Sequence, residues 1–65
     1  MKPFVEIGNV YIRRDGRLAF VYAFNPVSNT FECIVQHSGQ VYTVSDNGKY
    51  YMAQDSHNDL VELVK

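Results

Sequence analysis

The sequence has one cysteine, no excess of either charge and no long apolar run. The single cysteine, Cys33, excludes an intrachain disulfide, as expected for a protein of the reducing cytoplasm. A net charge of −1 gives the chain no general attraction to nucleic acid or to anionic membranes. The longest apolar run covers residues 18–24, whereas a membrane-spanning helix needs about twenty residues. Pro3 and Glu6 interrupt the N-terminal segment, and no apolar signal segment follows. We therefore expect a cytoplasmic protein without a membrane partner.

The composition is that of one small folded domain. Hydrophobic residues make up 46% of the 65 residues and aromatic residues 14%, which is too apolar for a disordered chain. Residues 1–65 therefore form a single domain, close to the lower size limit for a core without disulfides or metal. At this size, the gain from burial and the loss of conformational entropy nearly cancel. A homodimer, or a partner that covers one face, is therefore plausible.

Two turn signals, Asp15-Gly16 and Asn47-Gly48, lie about half a chain apart, each between segments typical of β-strands. Such pairs supply the positive φ angles of a type I′ turn and are the strongest short-range sign of a β-hairpin. We therefore predict two tight hairpins. Superposing residues 10–11 on residues 41–42 brings the two turn glycines within one residue of each other. A duplicated hairpin and two independent uses of common turn chemistry both remain open.

The other segments also predict short strands. Residues 18–24 are apolar on both alternating faces, which predicts a central strand covered on both sides. Residues 25–29 form a loop, because Pro26 disfavours helix at the residue before it. Residues 59–64 fit an edge strand or one helical turn capped by Ser56, and the two valines favour the strand. The predicted strand segments are 4–14 as one bent or two short strands, then 17–24, 31–36, 41–45, 50–53 and 59–64.

Together these segments predict an all-β fold. Five or six short strands in sequence order, joined mostly by tight turns, describe an antiparallel meander. In so small a chain, we expect the meander to curl into an SH3-like partly open barrel, with a possible short terminal turn of helix.

Metal binding and catalysis have weak signals. On a strand, Asp55, His57 and Asp59 would share one face and could ligate a metal, but the segment also fits a solvated loop in which Asp59 caps a turn. Cys33 and His37 could be added to such a metal site, but no close Cys pair or His-x-x-x-His accompanies them. Cys33 with a histidine could serve as nucleophile and base, yet Cys33 lies in an apolar run, where a buried thiol is unreactive. No phosphate loop or paired-carboxylate motif occurs. We therefore predict no metal, no cofactor and no catalytic residues, so the protein is not expected to be an enzyme.

Three arginines, Arg13, Arg14 and Arg17, surround the first turn, with Tyr11 and Tyr22 near them in sequence. Basic groups beside exposed aromatic rings are how small barrels hold single-stranded nucleic acid. Three arginines at a protruding turn are also typical of a solvated tip that keeps a sheet edge soluble. The C-terminal half offers no further basic stripe.

A second aromatic group, Tyr42, Tyr50 and Tyr51, flanks the second turn. On a strand, Tyr50 and Tyr51 would point to opposite faces, so at least one of them would be exposed unless another chain covers it. Tyrosine and arginine are enriched in the residues that dominate protein interfaces. These tyrosines therefore favour protein binding, although both could also cover opposite sides of a thin barrel.

A strand and turn of pattern Tyr11-x-x-Arg14-Asp15-Gly16 is followed by the segments 39–44 and 48–51, and then by Asp59-Leu60-Val61. In this order they resemble small uncharacterised accessory proteins encoded in tailed-phage and prophage genomes. The resemblance covers residues 11–61, although residues 25–36 match no part of the pattern. It implies an intracellular accessory protein of a phage or prophage and assigns no catalytic residues.

We therefore expect a non-enzymatic protein-binding module that binds and modulates or inhibits a larger host protein, such as a defence enzyme. The predicted partner-binding residues are Arg13, Arg14, Arg17, Tyr50 and Tyr51. One alternative is a small barrel that binds single-stranded nucleic acid through the arginines and tyrosines. The other is a self-associating structural protein whose terminal strand pairs with its copy.

Overall fold

The computed structural model describes residues 4–64, which form one antiparallel sheet of five strands. The strands are β1 (Val10–Arg13), β2 (Leu18–Asn25), β3 (Thr30–Val35), β4 (Val41–Val44) and β5 (Leu60–Leu63). Their order in the sheet is β4-β3-β2-β1-β5, so the first four strands form a meander and β5 returns to pair with β1. The predicted all-β class is confirmed, and residues 60–63 form an edge strand rather than a helical turn. None of the described residues forms a helix that could cross a membrane.

The two edges of the sheet approach each other without forming a strand ladder. The N–H of Leu60, at the start of β5, donates to the carbonyl of Gly48 in the turn after β4 (2.9 Å). The hydroxyl of Tyr42 on β4 donates to the carbonyl of Asn58 (2.7 Å). The N–H of Val5 adds a bond to the carbonyl of Asp46 (3.0 Å). These single bonds bring the edges together while the sheet stays unclosed, which is a partly open barrel.

The two predicted turns share one geometry, but it is not type I′. Positive φ occurs at Gly16 (91°) and Gly48 (87°), whereas neither Asp15 nor Asn47 has it. In each turn the chain reverses over three residues, closed by the bonds Arg13 N–H to Arg17 O (2.7 Å) and Ser45 N–H to Lys49 O (3.0 Å). The Asp15 and Asn47 side chains accept the N–H groups of residues 17 and 49, at 3.0 and 3.1 Å. A three-residue loop of this kind needs left-handed backbone only at its glycine, because the preceding residue stays right-handed.

Only the first turn joins two paired strands. Strands β1 and β2 pair directly through it, with Val10 opposite Phe20. After Gly48 the chain bends over residues 50–54 instead of returning as the predicted strand 50–53. Residues 4–7 also form no strand. The chain first bonds to the sheet at Gly8, whose N–H donates to the Val21 carbonyl on β2 (2.8 Å). The two turns therefore resemble each other locally while the structures that follow them differ.

Strand β2 lies at the centre of the sheet, as predicted, but only one of its faces is covered. The inner face belongs to the core, whose buried members are Val5, Tyr11, Ala19, Val21, Phe31, Cys33, Val44 and Leu60. On the outer face Phe20 remains 42% exposed and Tyr22 is also exposed. A bulge at Tyr22 shifts the register, so Phe24 pairs with Phe31 at a ring distance of 4.9 Å instead of following Phe20 outward. The prediction of cover on both sides is wrong, because so short a chain has no layer left for the outer face.

The backbone of Leu60 crosses Gly48 so closely that a Cβ at position 48 would collide with the Leu60 carbonyl. We predict that Gly48→Ala lowers the free energy of unfolding by roughly 3 kcal/mol or more, because it adds backbone strain and disrupts the Leu60 bond. Gly16→Ala is the matched control, since Gly16 has nearly the same φ and no atom within 4 Å of the added Cβ. It should cost about 1–2 kcal/mol. Urea unfolding measures both, and equal losses would contradict the role given to Gly48.

Candidate functional site

The carboxylate of Asp59 is the centre of a polar cluster at one end of the barrel. Asp59 is 1% exposed, and its Oδ1 accepts the N–H of Tyr50 (2.9 Å). Its Oδ2 accepts the N–H of Ser56 (2.9 Å) and the Arg14 guanidinium (3.1 Å). The Nζ of Lys49 lies 3.4 Å from the same oxygen. A buried carboxylate needs this many donors, because burial without them strongly disfavours its charged form.

Asp55 completes the cluster from the solvent side. Its Oδ1 lies 2.6 Å from Lys49 Nζ and 3.5 Å from Arg14 Nη2. Two cations and two carboxylates therefore balance each other. The Lys49 ammonium, assisted by Arg14, lowers the pKa of Asp55, and Asp55 in turn raises the pKa of Lys49. Burial alone would raise the pKa of Asp59, but the Tyr50 and Ser56 N–H groups with Arg14 and Lys49 hold it below its usual value.

Arg13 is a structural residue and does not belong to an exposed tip. It is 4% exposed, and its guanidinium donates to Asp15 and to Asn58, both at 2.7 Å. It also lies over the ring of Tyr42, 5.6 Å from the centroid. Because Arg13 ends β1 and Asn58 precedes β5, these bonds fasten the loop 55–59 to the sheet. The predicted gathering of three arginines at one exposed turn therefore does not hold for Arg13.

The other two arginines face different surroundings. Arg14 joins the Asp59 cluster with a side chain that is still 43% exposed. Arg17 is exposed, and none of the ion pairs found within residues 4–64 involves it. Arg17 lines a surface depression together with Leu18 and Gln36, and Asp59 does not line it. The structure thus separates Arg14 from Arg17, although only two residues lie between them.

The rings of Tyr50 and Tyr51 contact each other edge to face and do not point to opposite faces of a strand. Their rings are 4.8 Å apart at 73°, and Tyr50 also packs edge-on against Tyr42 at 5.7 Å. Tyr51 is 50% exposed and the next residue, Met52, is 89% exposed. We call Arg14, Tyr50, Tyr51 and Met52 the tyrosine surface. Arg14 and the backbone of Tyr50 bind the same carboxylate of Asp59, so Asp59 holds these two members of the surface in place.

Sequence reasoning missed Met52 and the central role of Asp59. Met52 carries no motif, and its exposure follows from the bend at 50–54 that replaced the predicted strand. Asp59 had one usable signal, its spacing from Ser56. The two residues bind reciprocally, since Ser56 N–H donates to the Asp59 carboxylate and Asp59 N–H donates to the Ser56 carbonyl (3.0 Å). This resembles a helix capping box, but a strand follows it.

The residues considered for metal binding have other contacts. Asp55 and Asp59 bind the two cations, and His57 uses its backbone carbonyl to accept from Asp15 N–H (3.3 Å). Within residues 4–64, no three His, Cys, Asp or Glu side chains are grouped closely enough to hold a metal ion.

Cys33 packs in the core, as predicted. Its side chain is fully buried on β3, and the Sγ donates weakly to the carbonyl of Tyr42 (3.5 Å). Burial raises the pKa of the thiol to about 11. The thiol therefore lacks both the exposure and the thiolate character of a nucleophile.

Comparison of the chain with protein-family models, with curated proteins and with solved structures finds no match.

The Asp59 cluster predicts a dependence of stability on pH. Asp55 and Asp59 have lower pKa values in the folded state than in the unfolded chain, where a carboxyl titrates near 3.9. The two carboxylates therefore make their full contribution to the free energy of unfolding above the unfolded pKa, and this contribution is lost as the pH falls through the folded pKa. Asp59→Asn should destabilise the protein by roughly 2–3 kcal/mol at neutral pH, because one oxygen cannot accept both the Tyr50 and the Ser56 N–H, which bind different oxygens of Asp59, and because Arg14 and Lys49 lose a charged acceptor. It should also show a smaller loss of stability on acidification.

Urea unfolding of the wild type and Asp59→Asn across the acidic range measures both effects. Glu6→Gln is the control, since it neutralises an exposed carboxyl outside the cluster. An Asp59→Asn variant with wild-type stability and wild-type acid sensitivity would contradict a stabilising role for the Asp59 carboxylate.

The burial of Cys33 predicts slow alkylation. At pH 8, a pKa of about 11 leaves on the order of one thiol in a thousand as thiolate, and burial keeps the reagent away. Iodoacetamide should therefore modify the folded protein roughly 100-fold or more slowly than the urea-unfolded chain, since reaction requires opening of the core. Mass spectrometry of timed samples measures the two rates, and similar rates would contradict a closed core around β3.

Proposed function

We propose that this chain is a non-enzymatic protein-binding module that uses the tyrosine surface to bind a larger protein. The observation that carries the proposal is a pair of half-exposed tyrosines in edge-to-face contact, one of which, Tyr50, shares the buried carboxylate of Asp59 with Arg14. Tyrosine and arginine dominate the binding energy of protein interfaces, and methionine adapts to irregular apolar partners. The residues of the tyrosine surface are of these types.

The tyrosine surface is also preorganised. Tyr50 is held by its backbone bond to Asp59 and by ring contacts on two sides, from Tyr42 and Tyr51. An anchor that is already ordered in the free protein loses less conformational entropy on binding. Beyond the anchors lie polar residues, among them Gln54 and Asp55, which suit the rim of an interface.

The charges favour a protein partner over single-stranded nucleic acid. Phosphate binding needs cations that are free to replace counterions. Arg13 is paired with Asp15, and Arg14 and Lys49 are paired with Asp55 and Asp59. Of the arginines expected to contact a strand of nucleic acid, Arg17 alone lacks an ion pair within residues 4–64. A largely neutral aromatic surface fits a protein better than a polyanion.

The resemblance to tailed-phage accessory proteins supports a specific version of this proposal. In that version the partner is a larger host protein in the cytoplasm, which the module modulates or inhibits by occupying part of its surface. Arg14, Tyr50 and Tyr51 make the contact, whereas Arg13 acts only through the fold and Arg17 lies apart.

Affinity purification of the tagged protein from host cells tests the proposal. The wild type should recover one larger protein in stoichiometric amount. Tyr51→Ala combined with Met52→Ser should lose this protein, because the variant lacks two exposed side chains of the tyrosine surface. The variant should still fold, since neither side chain belongs to the core. Val27→Ser is the matched control, since Val27 is an exposed apolar residue, 95% accessible, in the loop between β2 and β3. It should retain the partner.

Recovery of no stoichiometric protein, or equal recovery by both variants, would contradict the proposed use of the tyrosine surface. Titration with labelled single-stranded DNA and RNA at two salt concentrations tests the nucleic-acid alternative. Tight binding with a steep salt dependence would favour the nucleic-acid alternative instead.

A further inference from the structure

The outer face of the sheet carries an apolar row that crosses four strands. The row consists of register partners on β1 to β4, namely Val10, Phe20, Ile34 and Val41. Phe20, Ile34 and Val41 are exposed. A groove of about 610 Å³ adjoins the row and is lined by Phe20, Ile34 and Leu18 among others. The described part of the chain therefore leaves an apolar row and a groove open to solvent, separate from the tyrosine surface.

A carboxylate lies on each side of this row, on the same face of the sheet. Glu62 on β5 is the register partner of Ile12, which is two residues after Val10 on β1 and so shares its face. Glu32 is two residues before Ile34 on β3 and also shares the face of the row. Because β1 and β3 run in the same direction, these offsets of opposite sign place Glu62 and Glu32 on opposite sides of the row.

Neither carboxylate has a cationic partner in the described part of the chain. The ion pairs found within residues 4–64 include neither Glu32 nor Glu62. Glu32 accepts a hydrogen bond from the hydroxyl of Tyr22 (3.2 Å), which is itself on the outer face. The two carboxylates therefore keep their negative charge available to another molecule.

The lysines and arginines of residues 4–64 lie off this face. Arg13 is buried on the inner side, and Arg17 lies opposite it across the first turn. Arg14 and Lys49 bind the carboxylate of Asp59. Within the described chain, the outer face is therefore apolar at its centre and negative on both sides.

This pattern of charge selects the chemistry of a partner. Two carboxylates repel nucleic acid and anionic membranes, and they attract a surface with cations on both sides of an apolar centre. The partner also has to satisfy its own backbone, because strands β1, β2 and β3 are each paired on two sides and their backbone bonds lie within the sheet. An extended segment on this face would leave its N–H and C=O groups unpaired, whereas a helix bonds them internally.

We propose that the outer face binds an amphipathic helix of another protein, with an apolar side that lies between lysine or arginine residues. Glu62 and Glu32 are separated by three strand spacings and four residues along a strand, which is roughly 20 Å. About 13 residues of helix span this distance. The apolar side of the helix covers Phe20 and Ile34, which the small core leaves in water. Binding of this kind is helix-in-groove recognition, and it gives the protein a second binding surface beyond the tyrosine surface.

Titration of a labelled peptide of about 18 residues, with leucine on one helical face and lysine on the other, tests the inference. Fluorescence polarisation should show saturable binding to the wild type that weakens as salt is added. Glu32→Lys and Glu62→Lys should each weaken binding about fivefold or more, because each places a cation against the lysines of the peptide. Asp46→Lys is the matched control, since it changes the net charge equally at an exposed carboxylate in the turn after β4. It should bind more tightly than either variant of the outer face.

Absence of saturable binding to the wild type would overturn the inference. So would Glu32→Lys and Glu62→Lys variants that are folded by circular dichroism and bind the peptide as well as Asp46→Lys does. Equal binding of a peptide with glutamate in place of every lysine would overturn the charge complementarity. Tyr51→Ala combined with Met52→Ser should leave peptide binding unchanged, and its loss would place the peptide on the tyrosine surface instead. The partner-capture experiment concerns that other surface, so either proposal can fail without the other.

Discussion

The carboxylate of Asp59 is the contact on which the rest of this small barrel depends. It joins three parts of the chain that are distant in sequence: the β1–β2 turn through Arg14, the turn after β4 through Lys49 and Tyr50, and its own loop through Ser56. Directly after it, Leu60 binds Gly48 and begins β5. The long segment between β4 and β5 has no strand or helix, so these polar bonds take the place of a ladder there. Both the apolar core and this polar cluster therefore hold the partly open barrel together.

A chain of this length has enough apolar residues for one layer of core, and the sheet uses it on one face only. The consequence is an uncovered outer face with Phe20, Ile34 and Val41 in a row, and a separate surface where the rings of Tyr50 and Tyr51 meet edge to face. In a larger domain, a second layer would cover the outer face. Here both surfaces remain exposed to solvent.

Much of the fold could be read from local patterns, because the strands and turns depend on neighbouring residues. Alternating and β-branched segments predicted β2 to β4 within one residue at each end, and the longer predicted segment 4–14 contains β1. Asp15-Gly16 predicted the hairpin between β1 and β2. The errors arose where contacts between residues distant in sequence decide the structure. Asn47-Gly48 forms the same local turn, yet no strand follows it, because Tyr50 is tied to Asp59 instead of to a ladder. The site was predicted in part, since the sequence cannot show which carboxylate meets which arginine.

The sequence by itself determined the class of the protein, because composition, strand periodicity and turn residues are local properties: a small all-β domain with a buried thiol at Cys33. Only the tertiary structure decided the fate of the charged and aromatic residues. The three neighbouring arginines have three different environments. Arg13 is buried and binds Asn58, Arg14 belongs to the Asp59 ion-pair cluster, and Arg17 is exposed at the surface without an ion pair to residues 4–64. The physical reason is that the electrostatic environment of a side chain depends on groups 40 or more residues away, as for Arg13 with Asn58 and Arg14 with Asp59. Such contacts exist only once β5 has paired with β1 and carried its preceding loop to the first turn.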